Sequence, residues 1–180
     1  SVANLVASGL FGDGAAAAVL VGERRAVALG ITGPRVLTSR STFYDDTERV
    51  MGWDVGSSGL RIVLAASVAD VVRDNLGSDV KDFLAEHELD VADVRHWVAH
   101  PGGPKVVDAV VETLGLPAAA LDRTRASLAA VGNLSSASVL HVLDDEELDF
   151  PFAGPTRFDG LESSDFLNCN PRALREGYLA

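Results

Sequence analysis

Two residues of this chain have the type and the setting to act on a carbonyl group. His100 ends the short apolar run Trp97-Val98-Ala99 and is followed at once by Pro101-Gly102-Gly103-Pro104-Lys105. A histidine at the C-terminal end of a strand lies where open α/β sheets place their ligand crevices. Its imidazole can donate a hydrogen bond to a carbonyl or accept a proton near neutral pH. The Pro/Gly run brings backbone close to the ring and opens a helix whose free N–H groups point back at it. The second residue is Asn133, in Gly132-Asn133-Leu134-Ser135-Ser136-Ala137-Ser138, again just before a helical run. Its amide can donate to a developing enolate or thioester oxygen, as oxyanion-hole groups do. Each residue also has a plainer reading: a hydrogen-bonded, partly buried histidine, and a helix N-cap, a role asparagine fills well. Read together, each after a short apolar stretch and each before a helix, they point to a shared crevice.

The remaining reactive side chains offer less. His87 and His96 read as surface or structural, and His141 falls within a helical run. No two histidines stand at i, i+4 with a carboxylate, so no metal site is expected. Cys169 is the single cysteine, and its nearest basic neighbour in sequence is Arg172. One cysteine rules out an internal disulfide framework and fits a reducing, cytoplasmic setting.

Those residues must be positioned by the elements around them. Val2–Leu10 is apolar and leads into Phe11-Gly12-Asp13-Gly14, whose glycines allow a tight backbone path. Ala15–Val21 reads as a fully buried strand, and Ala26–Ile31 and Arg35–Thr42 as further strands separated by the Gly33-Pro34 turn. Phe43–Arg49 is loop-like. Met51–Val55 and Leu60–Leu64 flank Gly56-Ser57-Ser58-Gly59 as a hairpin. Over Ser67–His87 one apolar stripe runs through Val68, Val71, Val72, Leu76, Val80, Phe83 and Leu84, with Asp70, Arg73, Asp74 and Lys81 opposite. Gly77 predicts a break within that helix. Val94–Ala99 reads as a strand and Val106–Leu114 as a helix capped by Gly115. A helical piece follows from Leu116-Pro117 to about Val131, and Leu134–Leu143 is the last helix. This order predicts an α/β fold, a mixed sheet packed by helices. The domain spans 1–145, and 146–180, where the patterning fades into turn signals, reads as a divergent acidic tail.

Composition narrows the function classes. At 180 residues the chain can hold one domain with a real core. The formal net charge of −11 argues against binding a phosphate backbone. Nine acidic residues against three arginines from Asp144 to Ala180 give −6 of that charge, leaving −5 for everything before it. The acidity therefore says little about the ligand of the main body. No apolar run reaches the ~20 residues of a membrane helix, and the N-terminus shows no basic signal-peptide region. The absence of a starting Met suggests processing or a fragment.

The sequence resembles the C-terminal half of type III polyketide synthases, the chalcone and stilbene synthase family of the thiolase superfamily. The resemblance rests on Leu10-Phe11-Gly12-Asp13-Gly14-Ala15-Ala16-Ala17, Ala99-His100-Pro101-Gly102-Gly103-Pro104 and Gly132-Asn133-Leu134-Ser135-Ser136-Ala137-Ser138-Val139-Leu140, in that order. It runs from about Leu5 to Asp144. Gly-Gly-Pro after His-Pro separates the family from ketoacyl-carrier-protein synthase III, the related condensing enzyme. Thr47-Glu48-Arg49-Val50-Met51-Gly52-Trp53-Asp54-Val55 looks closest to bacterial alkylpyrone- or alkylresorcinol-type members.

The resemblance implies a thiolase-like half and a decarboxylative Claisen condensation of malonyl-CoA onto an acyl-CoA starter, with coenzyme A thioesters as substrates and no bound cofactor. It makes His100 the imidazolium partner of a cysteine thiolate and Asn133 its companion in polarising malonyl-CoA. Phe11 matches the gatekeeper aromatic, Ser135 the cavity lining, and Lys105 stands at the tunnel mouth near coenzyme A. The nucleophilic cysteine belongs to the missing N-terminal half, so the isolated chain is expected to be inactive and the complete enzyme a homodimer. The family's Gly-Pro-Gly loop has only Ala153-Gly154-Pro155-Thr156 as a counterpart here. A non-catalytic thiolase-like remnant that binds acyl-CoA or a partner is the alternative reading.

Overall fold

The computed structural model describes residues 2–30, 35–57 and 59–145. The expected turn at Gly33-Pro34, the proposed tail from 146 on, and Cys169 all lie outside the described residues. Among the described residues, six α-helices and one hairpin form, in the order α1 (Val2–Leu10), α2 (Glu23–Leu29), β1 (Met51–Gly56), β2 (Gly59–Leu64), α3 (Val68–Ala85), α4 (Pro104–Leu114), α5 (Asp122–Val131) and α6 (Ala137–Asp145). A short 3-10 turn at Ala118–Leu121 leads directly into α5.

The helical layer holds the core. Val107 and Ala109 of α4, Leu114 at its end, Leu121 before α5 and Val142 of α6 are buried, with Ala69 and Leu84 of α3. Helix α4 starts with Pro104 in its first turn, where the missing N–H costs nothing, and stops at Gly115 in the left-handed conformation. Helix α3 runs unbroken through Gly77, contrary to the expected break. A Cβ there would lie 3.2 Å from the Thr113 carbonyl oxygen, so this glycine lets α3 and α4 approach closely. The Thr113 hydroxyl donates to the Arg73 carbonyl at 3.2 Å, and Arg73 pairs with Glu112 at 3.0 Å across the same seam.

The hairpin is as expected. Strands β1 and β2 are antiparallel, with Met51 opposite Leu64, Trp53 opposite Ile62 and Val55 opposite Leu60. Those six share one face, because side chains alternate along a strand. The Asp54 carboxylate lies on the other face, where it pairs with Arg49 at 2.7 Å and Arg61 at 3.4 Å.

Four strand expectations are corrected. Ala26–Leu29 is helical rather than extended: Glu23-Arg24-Arg25 precede it as good helix formers, and Gly30 closes α2 at φ 64°, ψ 27°. Ala15–Val21 and Arg35–Thr42 form no strand, and Val19, Leu20 and Val36 are exposed rather than buried. Val94–Ala99 likewise joins no ladder. A strand is defined by hydrogen bonds to a neighbour, and apolar patterning does not supply one. Among the described residues, no strand pairs with these segments.

Candidate active site

The site is built where three sequence stretches meet. The end of α1 and the turn before α6 join backbone to backbone. The Asn133 N–H donates to the Leu10 carbonyl at 2.8 Å, and the Gly12 N–H donates to the Asn133 carbonyl at 3.0 Å. Phe11 thereby forms a parallel bridge with Asn133. Glycines permit the approach. A Cβ on Gly132 would stand 2.9 Å from the Leu10 carbonyl oxygen, and one on Gly12 only 2.0 Å from that of Val131. A Cβ on Gly14 would collide with the Leu134 side chain at 2.6 Å.

The third stretch is the His100 turn. Pro101 is fully buried, Gly103 has φ 149°, and the Gly102 N–H donates to the His100 carbonyl at 2.8 Å. The Thr124 hydroxyl, buried on α5, donates to the Ala99 carbonyl at 3.4 Å. That contact ties the unpaired segment carrying His100 to the helical layer. Leu10 lies beside Gly103: a Cβ on that glycine would be 3.7 Å from the leucine's methyl carbon.

Asn133 links the two sides. Only 2% of its surface is exposed. Its Oδ1 accepts the Ser135 N–H at 2.8 Å, and its Nδ2 donates to the Gly102 carbonyl at 3.5 Å. A backbone N–H is only a donor, so the Ser135 contact fixes which end of the amide faces which way. The carbonyl end turns into its own loop and the NH2 end turns toward the His100 turn. The N-cap reading does not hold: α6 begins at Ala137, and Asn133 makes a side-chain turn two residues wide instead.

His100 is exposed by area, yet the surrounding protein partly desolvates the ring. That desolvation lowers its pKa below the ordinary 6.5, favouring the neutral imidazole. No ion pair or ring hydrogen bond of His100 forms among the described residues. An anion brought beside the ring would favour its charged form.

Of the other expected site residues, Phe11 is half-buried beside Asn133, and Ser135 is exposed with φ 58° in the same turn. Lys105 is exposed in the first turn of α4, two residues beyond Gly103. His141 sits in α6 with its Nε2 3.4 Å from the Ala15 carbonyl oxygen, and His87 packs edge-on to Phe83 with ring centroids 5.3 Å apart. Sequence reasoning passed over Thr124, whose position inside a helical run carries no signal. It saw Gly12 and Gly132 only as turn or break residues. Among the described residues, no cluster of three His, Cys, Asp or Glu side chains could hold a metal ion, and no helix is long and apolar enough to cross a membrane.

Comparison with known proteins places the chain in a family. The profile of the chalcone and stilbene synthases, C-terminal domain, matches residues 35–150. The 1,3,6,8-tetrahydroxynaphthalene synthase of Streptomyces peucetius subsp. caesius is 54% identical over 145 residues, which cover 81% of this chain and 38% of that protein. A Bacillus subtilis (strain 168) protein named for chalcone synthase is 38% identical over 144 residues, covering 79% of this chain and 40% of its own. The crystal structure of 1,3,6,8-tetrahydroxynaphthalene synthase from Streptomyces coelicolor A3(2), a bacterial type III polyketide synthase, superposes with a TM-score of 0.70 at 33% identity. That superposition covers 79% of this chain and 39% of the other. The chain thus spans about 40% of the length of the curated relatives it matches. Its architecture is α/β, corresponding to the C-terminal half of a thiolase-like fold. On these grounds the chain belongs to the chalcone and stilbene synthase family of type III polyketide synthases, and carries that family's C-terminal domain.

Proposed function

We propose that this chain is the C-terminal part of an acyltransferase that condenses malonyl-CoA, with loss of CO2, onto an acyl-CoA starter. A cysteine thiolate from an N-terminal half takes the acyl group as a thioester and releases coenzyme A. His100, neutral in this chain, takes the proton of that cysteine's thiol when the two are brought together and so becomes the imidazolium partner of the thiolate. His100 and the Asn133 NH2 then donate to the malonyl thioester oxygen. The bond to the carboxylate breaks, CO2 leaves, and the electron pair is held as an enolate. Its carbon attacks the enzyme thioester and the cysteine thiolate departs. Phe11 screens the cavity, Ser135 lines it, and Lys105 receives coenzyme A at its mouth. In complete form the enzyme is a cytoplasmic homodimer.

The observation that carries this reading is the orientation of Asn133: a buried amide whose NH2 end faces the His100 turn while its oxygen is already occupied. The test is reconstitution. Residues 1–145 replace the matching part of the Streptomyces peucetius enzyme, and malonyl-CoA decarboxylation is followed. The chimera should release CO2, and His100→Gln should lose that activity by about 10²-fold or more. Normal turnover without His100 would refute its role.

A second reading has one observation in its favour. The sole cysteine of this sequence is Cys169, outside all three motif stretches, which suits a binding half without chemistry of its own. Mass spectrometry after incubation of the full chain with acyl-CoA separates the two: an acylated Cys169 would defeat this second reading.

A further inference from the structure

The turn that carries Asn133 is an awkward one. Ser135 adopts φ 58°, a left-handed conformation that a serine holds only if its neighbours enforce it. Two side-chain acceptors grip the turn. Asn133 Oδ1 takes the Ser135 N–H from one side. Ser138 Oγ takes the Leu134 N–H from the other, at 2.7 Å. Ser138 is fully buried near the start of α6, and its own N–H donates to the Ser135 carbonyl at 3.1 Å. The serine thus ties both ends of the Leu134-Ser135 pair to the helix.

We propose that Ser138 is a positioning residue: by holding the Leu134 N–H it keeps the turn in the one shape in which Asn133 presents its NH2 end to the His100 turn. The physical reason is the burial of that N–H. Leu134 is itself buried, so removing the serine oxygen leaves a donor with neither protein nor water to satisfy it. The cheapest escape is for the turn to relax out of the left-handed conformation. Relaxation frees the Ser135 N–H from Asn133 Oδ1, and only the long 3.5 Å contact from Nδ2 to the Gly102 carbonyl is left to hold the amide in its orientation. An amide turned over would set an oxygen against the Gly102 carbonyl oxygen and offer no donor to a substrate. Among the described residues Ser138 forms no hydrogen bond to Gly102 or His100, and in this scheme it acts only through Asn133. The functional consequence rests on Asn133 being the donor proposed above, but the geometric statement does not.

The experiment uses the full 180-residue chain, 15N-labelled, with Ser138→Ala and Ser138→Thr. Amide hydrogen exchange at Leu134 and Ser135 is compared with that at Leu84 and Val107 in the helical core, and the Asn133 side-chain NH2 resonances are followed. In Ser138→Ala, exchange at Leu134 and Ser135 should accelerate about tenfold or more beyond any change at Leu84 and Val107. The Asn133 NH2 resonances should move toward those of a solvent-exposed amide. Ser138→Thr, which keeps the hydroxyl, should restore both. Uniform acceleration throughout the core, or unmoved Asn133 resonances, would overturn the proposal. If the alanine variant does not fold, Ser138→Cys, similar in volume and a poorer acceptor, is read in the same way. Because these readouts involve no turnover, their failure leaves the role of Asn133 standing, and inactivity of an Asn133 variant leaves the positioning result standing.

Discussion

Replacing Gly132 by alanine should dismantle the meeting point of α1 and the Asn133 turn. Gly132 has φ 75° and ψ −167°, a region that is essentially glycine's alone. Forcing an L residue into it costs about 1–3 kcal/mol. The new methyl would also lie 2.9 Å from the Leu10 carbonyl oxygen and 3.2 Å from the Gly12 nitrogen, so the two strands of backbone must part. Parting them breaks the 2.8 and 3.0 Å hydrogen bonds between Asn133 and Leu10 or Gly12, each with a net contribution of about 0.5–1.5 kcal/mol. The sum is about 2–6 kcal/mol, a large share of the roughly 5–15 kcal/mol of a typical domain. Urea unfolding followed by circular dichroism measures it, with an unchanged m-value showing that the comparison is sound. Gly115→Ala is the control. It too has positive φ, at 65°, but a Cβ there meets nothing within 4 Å, so it should cost only about 1–2 kcal/mol. The difference between the two variants reports the close approach together with the stricter backbone region of Gly132. If Gly132→Ala costs no more than Gly115→Ala, the contact between Leu10–Gly12 and Asn133 does not hold this site together.

Other consequences are open to direct measurement. Titration of His100 by NMR should give a midpoint below 6.5, because desolvation disfavours the charged ring. Its contribution to stability is then fully present above about pH 6.5 and is lost as pH falls through the folded midpoint, a slope that His100→Gln should remove. A midpoint at or above 6.5 would contradict the desolvation described at the ring. Tyr44 is pushed up to about 12 by burial and by its hydrogen bond to Asp79. Alkaline absorbance titration should therefore show one late tyrosine step that Tyr44→Phe abolishes, and the stability tied to it should persist at pH 10 and fade as pH approaches about 12. Leu121 is 1% exposed at the junction into α5. Leu121→Ala should cost about 2–5 kcal/mol in urea unfolding, and a cost below about 1 kcal/mol would mean that this position is not core.

Much of the helical layer was legible in advance because helices are written locally. The apolar stripe of α3, the proline that opens α4 and the glycine that closes it each act within a few residues, and the structure follows them. The hairpin was legible for the same reason, since a short glycine-flanked turn joins two apolar runs. The strand expectations failed where the information was not local. Ala15–Val21, Arg35–Thr42 and Val94–Ala99 have the composition of strands, but a ladder needs a second chain segment that no stretch can supply for itself. Ala26–Leu29 failed differently, because the three residues before it belong to the same helix and were left out of the reading.

For the site, the sequence by itself determined the chemistry on offer: an imidazole, an amide, and glycines and prolines around each, enough to imply the family through their spelling and order. Only the tertiary structure decided how those groups face. The amide of Asn133 has two ends of nearly equal size. Its oxygen is taken locally by the Ser135 N–H two residues on, but what its NH2 end faces is decided by the Gly102 carbonyl, 31 residues away along the chain. The state of the His100 ring is likewise set by how far the fold desolvates it. Hydrogen-bond direction and desolvation are properties of groups brought together in space, and they come into being only when the distant stretches meet.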